Sequence, residues 1–150
     1  MERIGKKESD PDPLIEKART LAEQKHAVQT DKAGLPYIGH PERVASRMKE
    51  RDEIIVGWLH DTVEDTDLSL LEIAETFGAR IADAVDAISR RPDEKWGVYL
   101  RRVKANPIAR KVKISDLIDN SNLCRIPEPG MGDVARQEKY NKALRFLMEP

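Results

Sequence analysis

The chain has 150 residues, of which 39% are hydrophobic and 35% charged, and its formal net charge is −1. That length suits one domain around one core, and the near-zero charge excludes a global pull on nucleic acid, so an anionic ligand must be drawn by a local site. No stretch approaches the roughly 20 apolar residues of a membrane-spanning helix.

The polar start is neither a signal peptide nor an anchor, and residues 1–10 are expected to form a flexible tail before a single domain over 11–150. Leu14, Ala18, Leu21 and Ala22 then repeat at helical spacing, opened by Asp12 or Pro13. Gly34 and Pro36 break the pattern. His40-Pro41 starts a second helix, proline being well placed in a first turn, with Val44, Ala45 and Met48 on its buried face. Ile54, Ile55, Trp58 and Leu59 form the strongest apolar cluster, on a central third helix expected to run on into His60 and Asp61. Ser69 to Glu72 reads as a capping box whose helix stops at Gly78.

Ile81, Ala84, Val85 and Ile88 continue the helical period until Arg90-Arg91-Pro92 interrupts it. Trp96, Tyr99, Leu100 and Val103 line the next helix, which ends at Asn106-Pro107, and Val112, Lys113, Asp116 and Asn120 lie on the one after. Residues 126–132 read as a loop. A last amphipathic helix carries Val134, Tyr140, Ala143, Leu144 and Leu147, and it can pack inside the fold or across a two-fold axis in a homodimer. No segment alternates with a period of two, so the expected fold is all-α, about eight short helices in a compact globule without a sheet. The lone cysteine, Cys124, has no disulfide partner within the chain and reads as a passive residue of a cytoplasmic protein.

The chemistry concentrates in His60-Asp61-Thr62-Val63-Glu64-Asp65. On a continuous helix, His60 and Glu64 share one face and Asp61 and Asp65 another. Burying so many acids beside an apolar helix is costly without a compensating cation, and a divalent metal is a natural one. His40 and Asp116 are further potential ligands. Two imidazoles and two carboxylates without a thiolate suit Mn²⁺, Fe²⁺ or Zn²⁺, and such an ion polarises a phosphoryl oxygen and lowers the pKa of bound water.

Three runs carry a resemblance: Gly34-Leu-Pro-Tyr-Ile-Gly-His40-Pro, Leu59-His60-Asp61-Thr-Val-Glu64-Asp65-Thr, and Val112-Lys-Ile-Ser-Asp116-Leu-Ile-Asp-Asn120. In this order they resemble the hydrolase domain of the RelA/SpoT family within the HD phosphohydrolase superfamily, and more closely the stand-alone small alarmone hydrolases of the stringent response. The resemblance implies a helical, Mn²⁺-binding enzyme that removes the 3′-pyrophosphate from guanosine tetra- and pentaphosphate, (p)ppGpp. It places His40, His60, Asp61 and Asp116 as metal ligands, Glu64 and Asp65 as the catalytic acids, and Lys32 and Asn120 at the nucleotide. A small-molecule nucleotide is then the partner, with no nucleic acid or membrane.

One departure stands out. Thr30-Asp31-Lys32 interrupts the family's basic run, and Asp31 would repel a phosphate. Two alternatives stay open: an HD phosphohydrolase for a different nucleotide or phosphoester, and a catalytically silent metal- or nucleotide-sensing module. The basic residues Arg90, Arg91, Lys95, Arg101, Arg102 and Lys104 read as a solvated helix face, with Arg90 and Arg91 as candidates for the missing positive charge. His26 reads as a hydrogen-bonding or packing residue, Asp119 and Asn122 as structural or exposed, and Trp58 and Trp96 as core.

Overall fold

Nine helical segments, one of them a single turn, make up the computed structural model, which describes residues 12–121 and 130–150. The expected tail at 1–10, Asn122, Cys124 and residues 126–129 of the expected loop lie outside the described residues. Helix α1 (Pro13–Lys25) starts where the sequence says it should. Asp12 caps it, accepting from the Leu14 and Ile15 amides, and Pro13 takes the first helical position. Helices α2 (Gly39–Ser46) and α3 (Arg51–Leu59) follow.

The third helix does not run through the His-Asp pair. It ends at Leu59, His60 and Asp61 form a turn, and α4 (Thr62–Asp65) is a separate four-residue turn. At the break, Thr62 Oγ1 donates back to Leu59 O at 2.7 Å, and at the far end of α4 Thr66 Oγ1 donates to Thr62 O at 2.6 Å. Asp61 and Asp65 stay one helical turn apart, the Asp65 amide donating to Asp61 O at 3.0 Å, whereas the turn separates His60, at the end of α3, from Glu64 in α4.

Helix α5 (Leu70–Phe77) carries the expected capping box, with Ser69 and Glu72 bonded reciprocally. Gly78, at φ +96°, ends it and starts α6 (Ala79–Ile88), a left-handed position that favours glycine. Helix α7 (Trp96–Ala105) gives way to α8 (Pro107–Asn120) at Asn106, whose side chain caps α8. Helix α9 (Met131–Met148) takes in Met131 and Gly132, which the sequence suggested were loop. Glycine is a poor interior residue, but Gly132 falls in the first turn, where the backbone amides have no intrahelical partner in any case. Among the described residues there is no sheet, only an isolated bridge between Thr30 and Pro36.

Helices α3 and α8 lie at the centre. Helix α3 packs against α1, α2, α6 and α8, and α8 against α2, α3, α6, α7 and α9. Ile55, Val56, Leu59, Val112 and Leu117 are wholly buried between them and their neighbours. The last helix docks on this core through Ala143 and Leu147, and Arg110 on α8 donates to Leu147 O at 2.5 Å, satisfying a carbonyl at the helix end. Met131 and Val134 at its other end stay exposed. No described helix is long and apolar enough to cross a membrane.

Helices α2 and α3 approach closely at Gly57. A Cβ on Gly57 would lie 2.8 Å from Ala45 Cα, a backbone atom that cannot move aside without its helix. Gly57→Ala should therefore cost about 1–3 kcal/mol in a denaturant titration. It should also weaken divalent-metal binding in a calorimetric titration, because α2 carries His40 and α3 leads into His60. Unchanged stability and affinity would mean that the two helices slide apart freely.

Candidate metal centre

Four side chains from three regions converge among the described residues: His40 of α2, His60 and Asp61 at the break after α3, and Asp116 of α8, with one potential ligand atom each within 4.8 Å of all the others. His40, His60 and Asp116 are buried, and Asp61 is partly so.

Both imidazoles are oriented from behind. His60 Nδ1 lies 2.7 Å from Gly57 O. A carbonyl can only accept, so Nδ1 carries the proton. His40 Nδ1 donates in the same way to Asp119 Oδ2 at 2.6 Å. In the neutral rings each Nε2 is then a lone pair, and the two face one another at 3.3 Å. Asp116 Oδ1 is 2.8 Å from the first and 3.4 Å from the second, and Asp61 Oδ2 is 3.7 and 3.1 Å away. Donors about 2.1 Å from one ion stand about 3.0–3.4 Å apart at octahedral or tetrahedral angles, so the spacing fits a divalent metal. Opposed lone pairs between two carboxylates need a cation, and the donor set suits a borderline-hard one.

The carboxylates have their own supports. Asp116 accepts from Lys113 Nζ at 2.8 Å and from the Asn120 amide at 3.0 Å. The Tyr37 hydroxyl donates to Asp61. Asp119 also accepts from Arg43 Nε at 2.8 Å. Burial alone would raise Asp116, but Lys113, His40 and His60 hold it well below the usual carboxylate range. Asp61 likewise, against burial, is drawn down to about 2, mainly by His60. Burial opposes charge on the imidazoles, yet Asp116 and Asp119 raise His40, and Asp61 and Asp116 hold His60 well above its ordinary value.

Glu64 and Asp65 behave in the opposite sense. Loss of solvation raises both, and the Asp61 charge adds to it. Glu64 also accepts from the Arg90 amide, which ties it to the turn after α6. A groove of about 700 Å³ opens beside this pair, with Leu70, Ser89, Arg90 and Pro92 among its walls. Within five residues, a carboxylate held low at Asp61 thus stands beside two, Glu64 and Asp65, that hold a proton more readily.

The remaining expected residues are more dispersed. Asn120 is exposed at its position behind Asp116. Lys32 reaches across to Asp133 on α9 at 3.4 Å. Asp31 is a turn residue: its Oδ1 accepts from the amides of Ala33 and Leu35, which shapes the loop. Arg91 pairs with Asp86, and the Arg90 guanidinium holds Glu94 O while lying over Trp96. Trp96 is not simply core, for it is only partly buried and Lys113 and Lys139 also approach its ring. Trp58 is buried as expected.

Sequence reasoning missed Lys113 and Tyr37 and undervalued Asp119, which is buried and bonded to both His40 and Arg43. Lys113 and Asp119 each stand three residues from Asp116, one helical turn away on the same face, and that spacing was a readable signal. Nothing local links Tyr37 to Asp61.

Residues 18–95 match the HD domain family. Among curated relatives, the guanosine-3′,5′-bis(diphosphate) 3′-pyrophosphohydrolase of Aquifex aeolicus is 33% identical over 147 residues, covering 90% of this chain and 20% of that protein. The GTP pyrophosphokinase of Streptomyces coelicolor is 28% identical over 148 residues, covering 90% of this chain and 16% of its own. The chain thus spans about a fifth or less of these relatives. A solved structure of a metazoan ortholog of SpoT, described as hydrolysing ppGpp, superposes with a TM-score of 0.78 at 19% identity over 93% of this chain and 87% of that one, a likeness of fold.

Two outcomes follow from the geometry. Asp119→Ala should lower Mn²⁺ affinity about 10–100-fold, because His40 loses the acceptor that orients it. Asp83→Ala, on the outer face of α6, should leave affinity unchanged in the same titration. Metal must also displace protons from imidazoles raised above the ordinary value of about 6.5, so affinity should still climb with pH beyond about 6.5, with protons released on binding. In chelator-treated protein the raised imidazoles stabilise the fold fully below their unfolded value and lose that contribution as pH rises through their folded value. The gain in Tm on adding Mn²⁺ should grow over the same interval, and a gain that does not change with pH would contradict the assignment.

Proposed function

The chain belongs to the HD-domain family, and from that premise we propose that it is a divalent-metal-dependent phosphohydrolase that removes the 3′-pyrophosphate from guanosine tetra- and pentaphosphate. The observation that carries the reading is the pair of inward-facing Nε2 atoms and two carboxylates set beside two acids of raised proton affinity. The names of the relatives and of the structural neighbour support the substrate.

On this reading His40, His60, Asp61 and Asp116 hold Mn²⁺, which supplies Lewis acidity and charge compensation when bound. Glu64 and Asp65 orient a water and take its proton as its oxygen attacks the phosphorus attached to the ribose 3′ oxygen. That P–O bond breaks, pyrophosphate forms, and the nucleotide leaves with a 3′ hydroxyl. The Arg90 amide fixes one Glu64 oxygen, so this carboxylate meets the water in a set orientation. Asn120 donates to Asp116 with one amide hydrogen and keeps its oxygen for the sugar. Lys32 would exchange Asp133 for the nucleotide. Arg90, which lines the groove with Glu64 and Asp65, would supply positive charge that the 30–32 loop lacks.

The test is hydrolysis of guanosine tetraphosphate by Mn²⁺-loaded protein, read as GDP and pyrophosphate. Asp61→Ala should lose metal and activity together. Glu64→Gln and Asp65→Asn should keep the metal and lose about 100-fold or more in kcat. The acid limb of the wild-type kcat profile should lie above the ordinary carboxylate range, since both acids are raised. Metal-loaded protein that ignores this substrate but cleaves another phosphoester would reassign the pocket, and binding without turnover would make the domain a sensor.

A further inference from the structure

Gln29, just beyond α1, spans from His26 to the end of α4. Its amide nitrogen donates to the backbone carbonyl of Asp65 at 3.1 Å, and its amide oxygen stands 2.7 Å from His26 Nδ1. The Asp65 carbonyl can only accept, so the NH₂ group must face it and the oxygen must face the histidine. Nδ1 of His26 therefore carries the proton and donates it. The other ring nitrogen, Nε2, is buried and has no hydrogen-bond partner among the described residues, in a residue only 1% exposed. The ring rests on Tyr37, centroids 5.0 Å apart, and Tyr37 in turn donates to Asp61.

A buried polar atom left unpaired costs free energy. An apolar side chain of similar size would fill the same space without that cost, so packing alone does not account for a histidine here. Its distinctive contribution is the Nδ1 proton. That proton locks the Gln29 amide, and the amide locks the Asp65 carbonyl at the end of a one-turn helix.

We infer that His26 and Gln29 form a positioning arm for Asp65, setting the direction in which α4 presents that carboxylate to the attacking water. Neither side chain touches the reacting atoms, and both act through Asp65. The inference rests on the catalytic role proposed above for that residue. It extends the working site by one layer, to a histidine that lies outside the metal cluster.

The experiment uses the full chain and three variants, Gln29→Leu, His26→Leu and His26→Asn. An asparagine places its amide nitrogen near the position of Nδ1 and keeps the bond to Gln29 while discarding Nε2. Gln29 is half-buried, so its variant reads the arm even where His26→Leu fails to fold. In Mn²⁺-loaded protein, Gln29→Leu and His26→Leu should lower kcat at least about tenfold, with KM and metal content within about twofold of wild type. His26→Asn should recover most of that loss. Hydrogen exchange supplies a reading that needs no substrate: the Asp65 and Thr66 amides, bonded to Asp61 O and Thr62 O at 3.0 Å each, should exchange faster in the two leucine variants and return toward wild type in His26→Asn. Wild-type kcat in metal-loaded Gln29→Leu, or His26→Asn no better than His26→Leu, would overturn the arm. If wild type leaves guanosine tetraphosphate intact, the proposed function fails while exchange still decides the arm: faster exchange with rescue upholds it, and unchanged exchange overturns it.

Discussion

Two imidazole nitrogens held 3.3 Å apart in the interior, with carboxylates on either side, are the arrangement that the rest of the fold serves. Such a group repels itself unless protons or a metal occupy its centre, and it can be buried only if the chain holds each member from behind. Gly57 O and Asp119 fix the two rings, Lys113 and Asn120 fix Asp116, and Tyr37 fixes Asp61. Each support comes from a helix, or the approach to one, whose position is set by the apolar packing of α3 and α8. The contact of Gly57 with the Ala45 backbone belongs to the same requirement, because the helices bearing the two rings must nearly touch.

The segment at the break between α3 and α4 does a second job. Asp61 and Asp65 remain one helical turn apart, the Asp65 amide bonded to Asp61 O, yet their surroundings differ. Asp61 stands beside the imidazoles, where it is drawn down to about 2, while reduced solvation and the Asp61 charge raise Glu64 and Asp65. Three carboxylates within five residues thereby separate into one that stays charged and two suited to exchanging protons. At the break itself the Thr62 hydroxyl bonds back to Leu59 O, the last residue of α3.

The loop over 30–36 shows what a local reading leaves out. Asp31, in a position expected to be basic, also has a structural part, for its carboxylate accepts two backbone amides and gives the loop its shape. Conversely, Trp96 has helical spacing typical of core, and the fold makes it a half-buried plate beside which three cations from α7's approach, α8 and α9 are collected. Spacing describes what shares a face within one helix. It carries no information about which faces from distant segments meet.

By itself the sequence determined what local physics can settle. Apolar periodicity, proline, glycine and capping residues placed nearly every helix, and motif order named His40, His60, Asp61 and Asp116, which the fold does bring together. Two failures are local, the helix that ends at Leu59, where the Thr62 hydroxyl bonds back, and the start of α9 at Met131, capped by Asp133 on Gly130; the others occur where a distant partner decides. Tyr37 reaches Asp61 across 24 residues, and Gln29 reaches Asp65 across 36. Those contacts depend on the packing of α1 and α2 against α3, whose burial is cooperative and leaves no signature at the residues themselves. Tertiary structure alone decided the orientation of the His40 imidazole by Asp119, the division of the carboxylates into low and raised, and the layer of distant side chains behind them.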